Sequence, residues 1–377
     1  MSLVLYRKYR PQRFSEIIGQ EHIVQTLTNA LVLGMISHAY LFTGPRGSGK
    51  TTIARLLAKT INCESRKKNE FEPCNKCLSC QEIMENKSMD LIEIDAASHR
   101  GIDEIRELKE GIKFTPTRLK YKVFILDEAH QLSKDAANAL LKTLEEPPSH
   151  AIFILATTEI YKMIPTIISR CQRFDFKKLT ALEIIKRLEF IVKKEEVKVQ
   201  KDVLEIIALN SGGSIRDAEG LLDQVLTFSG AFGQKKEIKI ENIKDLLGLV
   251  EIKLVSDFCD FLYQKKLTEA ISFLQNIIDK GSDLQEFTKA LINYLRQTLI
   301  LKILNPENIK DNSQINSIIT GLTKEEFEKL NFQAKNSNEL ELQRIINFFL
   351  EAQSKMKYSS IPQLPLELAI VEICNTT

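Results

Sequence analysis

The sequence predicts an α/β fold, a parallel sheet with helices on both faces, followed by wholly helical segments. Three observations predict it. Short, continuously apolar runs alternate with helix-period segments through the first half of the chain. A glycine-rich turn, Gly44 to Thr51, joins one such run to one such helix. Strand signals fade after about Phe176, and helical periodicity continues from there to the end.

Taken in order, the opening stretch Met1 to Pro11 carries Arg7, Lys8 and Arg10 with no apolar run behind them, so no signal peptide is expected. His38-Ala-Tyr-Leu-Phe-Thr43 reads as a buried strand, and Ala54, Leu57, Ala58 and Ile61 repeat with the spacing of one helix face. Leu91–Asp95 and Lys122–Leu126 are the next strands. Ser133 is an expected N-cap, with Asp135 in the first turn, for a helix that must stop at Pro147-Pro148. Ala151–Ala156 is a fourth strand. Thr180 to Gly230 reads as helical, broken at Ser211-Gly212-Gly213. Further on, Leu342, Ile345, Ile346 and Phe349 form an apolar stripe expected to end at Pro362 and Pro365. Asn305 to Ser317 is polar and is expected to be a surface connection. No internal repeat stands out. The expected domains are residues 1–178 (α/β), 179–240 (small, helical) and 241–377 (all-α).

Composition bounds the function. At 377 residues, with 44% apolar and 27% charged side chains, the chain can bury a core without disulfides. Fifty-two basic against fifty acidic residues give a net charge of +2, which argues against a histone-like protein but leaves room for a local DNA-binding patch. Only 15 glycines and 10 prolines exclude collagen-like and low-complexity classes. No window approaches the ~18 uncharged apolar residues of a spanning helix, so a cytoplasmic protein with no membrane partner is expected.

The strongest motif is Gly44-Pro45-Arg46-Gly47-Ser48-Gly49-Lys50-Thr51, which matches G-x-x-x-x-G-K-[ST]. Its glycines let backbone N–H groups curl toward phosphate oxygens, and the helix that follows adds the positive end of its dipole. Lys50 is placed to reach the β- and γ-phosphates, and the Thr51 hydroxyl to ligate Mg²⁺. Val123-Phe-Ile-Leu-Asp127-Glu128 supplies a buried strand ending in adjacent carboxylates: Asp127 for the Mg²⁺ shell, Glu128 to orient and deprotonate a water. Either motif alone has a bland alternative, a chance turn or an acidic strand end; together they predict nucleotide hydrolysis. His130 reads as structural or a minor helper.

Four of the seven cysteines crowd together: Cys63, Cys74, Cys77 and Cys80, spaced C-x10-C-x2-C-x2-C. Four thiolates suit tetrahedral Zn²⁺ in a structural role. The iron–sulfur alternative needs a further Cys and Pro where Met84 and Glu85 stand. Cys171, Cys259 and Cys374 are scattered and read as packing residues.

Several further motifs carry a resemblance. Asp127-Glu-Ala-His130, Thr157-Thr158, Ser169-Arg170-Cys171 and the opening Tyr6-Arg-Lys-Tyr-Arg-Pro11, with Phe14 and Ile18-Gly-Gln-Glu21, resemble AAA+ ATPases of the clamp-loader group. The cysteine set, with Glu93-Ile-Asp-Ala-Ala-Ser98 and Gly101-Ile-Asp103, narrows this to the gamma/tau family of bacterial DNA polymerase III. The resemblance covers nearly the whole chain. It implies an AAA+ domain with a zinc-binding insertion, a helical lid and an all-α oligomerisation collar. It implies ATP, Mg²⁺ and Zn²⁺ as cofactors, and an ATPase acting within the DNA polymerase III holoenzyme.

Position by position, the resemblance implies that Thr158 is sensor 1, near the γ-phosphate or the attacking water. Arg170 falls at the arginine finger that reaches a neighbouring subunit's ATP, and Arg216 at sensor 2 on the lid. Any single arginine has the alternative of a surface ion pair worth ~0–1 kcal/mol. Tyr9, Arg10, Ile17 and Ile18 are expected to line the adenine pocket. Expected partners are delta-type and delta-prime-type subunits, copies of the chain itself, the sliding clamp and primed DNA. Arg100, Arg106 and Lys142 are candidate phosphate contacts, each with the alternative of a solvated charge. Because the chain stops at Thr377, it reads as the short, gamma-like form. The rival expectations are another AAA+ machine, such as a branch-migration helicase, and a nucleotide-binding scaffold that does not hydrolyse.

Overall fold

The computed structural model describes residues 4–67, 69–98, 111–112, 114–230, 237–238, 252–304 and 324–375. Arg100, Arg106, Gly101–Asp103 and Asn305–Ser317 lie outside the described residues. The chain divides into two compact units, Met1–Lys239 and Ile240–Thr377, so the α/β segment and the small helical segment behind it belong to one unit.

The first unit is built on a five-stranded parallel sheet in the order β2-β3-β4-β1-β5. The strands are β1 (Ala39–Thr43), β2 (Leu91–Asp95), β3 (Lys122–Asp127), β4 (Ala151–Thr157) and β5 (Gln172–Asp175). β1 and β4 are buried at every position and β3 at all but its last, which is why they read as unbroken apolar runs. Alternate side chains serve opposite faces. Tyr40, Phe42, Val123, Ile125, Ile152 and Ile154 pack with the helices Glu21–Leu33 and Lys50–Ile61. Leu41, Phe124, Leu126, Phe153 and Leu155 pack with Ala136, Leu140 and Leu144 of the helix Lys134–Glu145.

Ser133 caps that helix as expected, accepting a hydrogen bond from the Ala136 N–H, and the helix ends at Glu145, before Pro147. β5 carries no apolar run. It is an edge strand, Gln-Arg-Phe-Asp, and buries only Phe174, so its hydrogen bonds to β1 rather than its composition make it a strand. Cys171 packs beside it and Cys259 lies in the core of the second unit, as packing residues do.

After the sheet in sequence, the helices Ala181–Lys194, Lys201–Asn210 and Ile215–Phe228 pack on one another as a small helical layer, hereafter the lid. Thr180 and Glu183 close a reciprocal capping box at its entry. The break at Gly212-Gly213 is a left-handed turn, with φ +60° and +87°. A short parallel pair, β6 (Lys198–Val199) with β7 (Glu237–Ile238), was not evident in the sequence.

Among its described residues the second unit's regular elements are all helices, with a core that includes Phe258, Phe287, Leu295 and Phe349. Leu342, Ile345 and Phe349 are buried and Ile346 is partly buried, as the stripe predicts. The expected stop is corrected, however. The helix Glu339–Met356 ends before either proline, and Pro365 instead sits in the first turn of Leu364–Asn375, where its missing N–H costs no hydrogen bond. Among the described residues, no helix is long and apolar enough to cross a membrane.

Candidate functional site

The carboxyl ends of β1, β3 and β4 lie side by side, and the loops that leave them meet at one edge of the sheet. β1 runs into the glycine-rich turn. Gly44 has φ +144°, and a Cβ there would lie 2.5 Å from the Phe176 carbonyl oxygen. Gly47 has φ +73°, and a Cβ there would meet Ser214 Oγ at 1.9 Å. Both close approaches require glycine, and the second brings the turn against the lid. Gly49 is the left-handed N-cap of the helix Lys50–Ile61.

Lys50 is buried. Its ammonium donates to the Gly44 and Pro45 carbonyls over 2.8 and 2.9 Å. Burial pushes its pKa down, against the opposing pull of Glu128 and Asp127. Thr51 donates its hydroxyl to Asp127 Oδ2 over 2.8 Å, tying the start of the helix to the end of β3. Asp127 Oδ1 accepts the Glu128 N–H at 3.0 Å. Glu128 itself stands at φ +48°, a left-handed position that turns its side chain off the strand line. Thr158, just past β4, donates both its hydroxyl (2.8 Å) and its N–H (3.3 Å) to Glu128 Oε2. His130 is nearly enclosed: Nδ1 lies 2.9 Å from Thr157 Oγ1 and Nε2 lies 3.0 Å from Glu159 Oε2. It braces the strand ends, and Nδ1 also stands 3.4 Å from Glu128 Oε2.

These groups open into a cleft that is continuous with solvent. Arg46, Gly47, Ser48, Gly49, Lys50, Thr51, Asp127 and Glu128 form one wall, and Arg216 on the lid forms part of the other. Arg10, Ile17 and Ile18 line it as expected. Tyr9 does not. Its hydroxyl bonds Glu195 Oε1 at 2.5 Å and its ring stands edge-on to Phe190, so it anchors the N-terminal segment to the lid. Tyr6 takes the expected place on the cleft wall, with the Arg216 guanidinium 5.0 Å above its ring.

The sequence reading also missed Arg187 and Glu219. They pair at 2.9 Å, both almost fully buried, and Arg187 also donates to the Tyr9 carbonyl. Burial raises the Glu219 carboxyl, with Arg187 opposing. A signal for them existed. Arg187 falls between Ile184, Leu188 and Ile191 on the apolar face of its helix, and Glu219 beside Ala218 and Leu222 on its own.

Arg170 is not among the cleft-lining residues. It stands at the surface before β5, bonded to the Thr166 carbonyl at 2.9 Å and to Glu145 at 2.6 Å. Lys142 is exposed on the helix Lys134–Glu145.

The four cysteine sulfurs lie within 4.8 Å of one another. Cys74–Cys80 and Cys63–Cys77 approach to 3.9 and 4.0 Å. Zn–S bonds of ~2.3 Å would set tetrahedral edges near ~3.8 Å, so this donor set fits zinc. The Lys76 and Cys77 N–H groups point at Cys74 Sγ from 3.4 and 3.2 Å. Burial alone would raise that thiol, but these donors outweigh it and lower it to about 6.

The parallel sheet and the glycine-rich turn at its carboxyl edge together define a P-loop fold of the AAA+ class. Three family models match successive parts of the chain: "DNA polymerase III, delta subunit" over residues 19–180, "DNA polymerase III clamp loader subunit, ATPase lid domain" over 183–231, and "DNA polymerase III subunits gamma and tau domain III" over 238–377. The gamma subunit of DNA polymerase III from Buchnera aphidicola subsp. Acyrthosiphon pisum is 36% identical over 372 residues, covering 99% of this chain and 98% of that one. The tau subunit from Bacillus subtilis is 42% identical over 374 residues, which are 99% of this chain and 63% of that relative, so the chain spans under two thirds of its length. The chain belongs to the gamma/tau family of DNA polymerase III. Among solved structures, a Thermotoga maritima RuvB branch-migration motor is similar at 18% identity and a TM-score of 0.47, covering 71% of this chain and 85% of that one.

Proposed function

We propose that this chain binds ATP between the glycine-rich turn and the lid, hydrolyses it there, and uses the cycle to load a ring-shaped sliding clamp onto primed DNA. The observation that carries this reading is the pair of hydrogen bonds Thr51–Asp127 and Thr158–Glu128. They fix the acidic residues at the strand ends beside the phosphate loop. The intact set Lys50, Thr51, Asp127 and Glu128 supports hydrolysis rather than a scaffold that only binds nucleotide.

In this reading the turn's N–H groups and Lys50 hold the phosphates. Lys50 needs little rearrangement, because its ammonium is already buried at the loop. Thr51 and Asp127 would hold Mg²⁺, which when bound offsets the charge of the phosphate oxygens. Glu128 accepts a proton from the attacking water, and Thr158 keeps its carboxylate oriented. Tyr6, Arg10, Ile17 and Ile18 wall the base, and Arg216 reports occupancy to the lid. Arg170 completes the site of a neighbouring subunit, which suits a guanidinium held at the surface. The Cys63, Cys74, Cys77 and Cys80 set holds a structural Zn²⁺.

Assembly with other DNA polymerase III subunits follows from the family. The particular partners belong to this proposal: delta-type and delta-prime-type subunits, further copies of the chain and the clamp. The test is ATP hydrolysis by the assembled loader, with and without clamp and primed DNA, beside an Arg170→Ala assembly. Strong stimulation that the substitution abolishes supports the reading. A rate indifferent to clamp, primer and Arg170 overturns it.

A further inference from the structure

The cysteine module and the nucleotide cleft share one piece of backbone. The strap from Arg10 to Ile18 turns Arg10, Pro11, Glu16, Ile17 and Ile18 toward the cleft. Its back rests on the module. Glu72, two residues before Cys74, accepts the Phe14 and Ser15 N–H groups with its two carboxylate oxygens, each at 2.9 Å. Asn75, between Cys74 and Cys77, stands at φ +58° and donates its side-chain amide to the Gln12 carbonyl at 3.3 Å. Lys59, buried on the phosphate helix, donates to that same carbonyl at 3.0 Å and to Gln12 Oε1 at 2.7 Å. Gln12 N–H in turn donates to Glu16 Oε2 at 2.7 Å. The strap is thus held by one element that carries the phosphate loop and by another that carries the four cysteines.

We infer that metal occupancy of the Cys63, Cys74, Cys77 and Cys80 cluster and nucleotide binding are thermodynamically coupled through this strap, with Glu72 and Asn75 as positioning residues for the base-side wall. The inference rests on the zinc and nucleotide readings proposed above. The physical reason is local. Glu72 and Asn75 lie within the Cys63–Cys80 loop. Without a metal to close that loop, its backbone gains conformational freedom, and the Glu72 carboxylate no longer stands fixed opposite two N–H groups. The strap then samples positions in which Ile17 and Ile18 do not face the base, and nucleotide must select the minority with the wall in place. Linkage makes the effect reciprocal: nucleotide must tighten metal binding by the same factor.

The experiment measures zinc content, the dissociation constant of a fluorescent ATP analogue, and the rate of zinc transfer to a chromogenic chelator. The full chain is compared with Glu72→Gln, Asn75→Ala and Glu70→Gln. Glu70 is on the same module but holds no strap N–H group, so it serves as the control. Thermal midpoints are recorded alongside. Glu72→Gln keeps one acceptor oxygen and loses the charge. It is expected to retain zinc and its thermal midpoint while weakening the analogue roughly 5- to 10-fold, with Asn75→Ala smaller and Glu70→Gln unchanged. Saturating nucleotide is expected to slow zinc transfer from the unsubstituted chain several-fold and to do so less in Glu72→Gln.

A protein without bound zinc would overturn the metal reading, and this inference with it. Failure to bind the analogue would overturn the ATPase reading. If both ligands bind but the analogue affinity of Glu72→Gln is unchanged and zinc transfer ignores nucleotide, only the coupling fails. Glu72→Gln is expected to keep its metal, so the inference does not depend on a stripped protein staying folded.

Discussion

Thr158 and Glu128 are bound to each other twice, hydroxyl and backbone N–H of the first both donating to one carboxylate oxygen of the second. That leaves Glu128 Oε1 as the oxygen available to a water at the cleft. The residue is held from behind by the strand after which Thr158 falls and turned forward by its own left-handed backbone. A carboxylate fixed at one oxygen loses little freedom when it acts as a base, which is where such an arrangement contributes to rate.

Thr158→Val removes the hydroxyl and keeps the shape. ATP affinity is expected to stay within about twofold, while kcat in the assembled loader falls on the order of 10²-fold. Steady-state hydrolysis with equilibrium binding of a nucleotide analogue separates the two. An equal loss in both would mean that Thr158 supports the pocket rather than the base.

Arg170→Ala should cost this chain little stability, about 1 kcal/mol or less, since its ion pair with Glu145 is exposed. In the assembled loader, hydrolysis stimulated by clamp and primer should fall by roughly 10³-fold or more if the arginine completes a neighbour's site. Mixing the variant with unsubstituted subunits should give graded, composition-dependent loss. A defect confined to the variant's own site would contradict an action across the interface.

Asp90 is an almost fully buried carboxylate that accepts three N–H groups, from Thr117, Arg118 and Leu119, at 2.8, 2.8 and 2.9 Å. Burial alone would raise its pKa. The N–H donors of Leu119, Thr117 and Arg118, with Lys122 nearby, outweigh burial and hold it below the usual carboxylate value. The native value lies below the unfolded one. Its stabilisation is therefore complete above the unfolded value of ~3.9 and is lost as pH falls through the depressed native value. Asp90→Asn should destabilise the first unit by ~2 kcal/mol at neutral pH, and the difference from the unsubstituted chain should shrink as pH drops below ~4. Urea midpoints at several pH values check this.

Cys77→Ser takes away one of the sulfurs that lie within 4.8 Å of one another. It should abolish stoichiometric zinc and lower the stability of the first unit by at least ~2 kcal/mol, since metal binding to a loop that is open when unfolded is folding free energy. Elemental analysis with thermal unfolding reads both. An unchanged midpoint in a zinc-free variant would show that packing, not metal, holds the module.

The phosphate loop, the acidic strand end and the cysteine set were legible because each is a local pattern whose chemistry is carried by neighbours in sequence. The strands β1, β3 and β4 were legible for a related reason: burial on both faces forces an unbroken apolar run. β5 was not, because an edge strand with one face open to solvent needs only Phe174 inside. Tyr9 was placed on the cleft and Tyr6 was not, although both are aromatic residues on the same short N-terminal stretch. The choice between them is made by Glu195, 186 residues away, which captures the Tyr9 hydroxyl. Arg187 and Glu219 sat in view as charges on apolar helix faces, but their mutual partnership is a contact between two helices that no spacing encodes.

By itself, then, the sequence determined the class of fold and the family, and it singled out the glycine-rich turn, the acidic strand end and the four cysteines as candidates, since loop geometry and ligand chemistry act over a few bonds. The tertiary structure alone decided that Tyr6 rather than Tyr9 faces the cleft, that Arg170 stays at the surface rather than in its own chain's cleft, and that Glu72 reaches back 57 residues to hold the Ser15 N–H. These depend on where separate elements come to rest against one another, and that is settled by packing and buried hydrogen bonding summed over the whole unit.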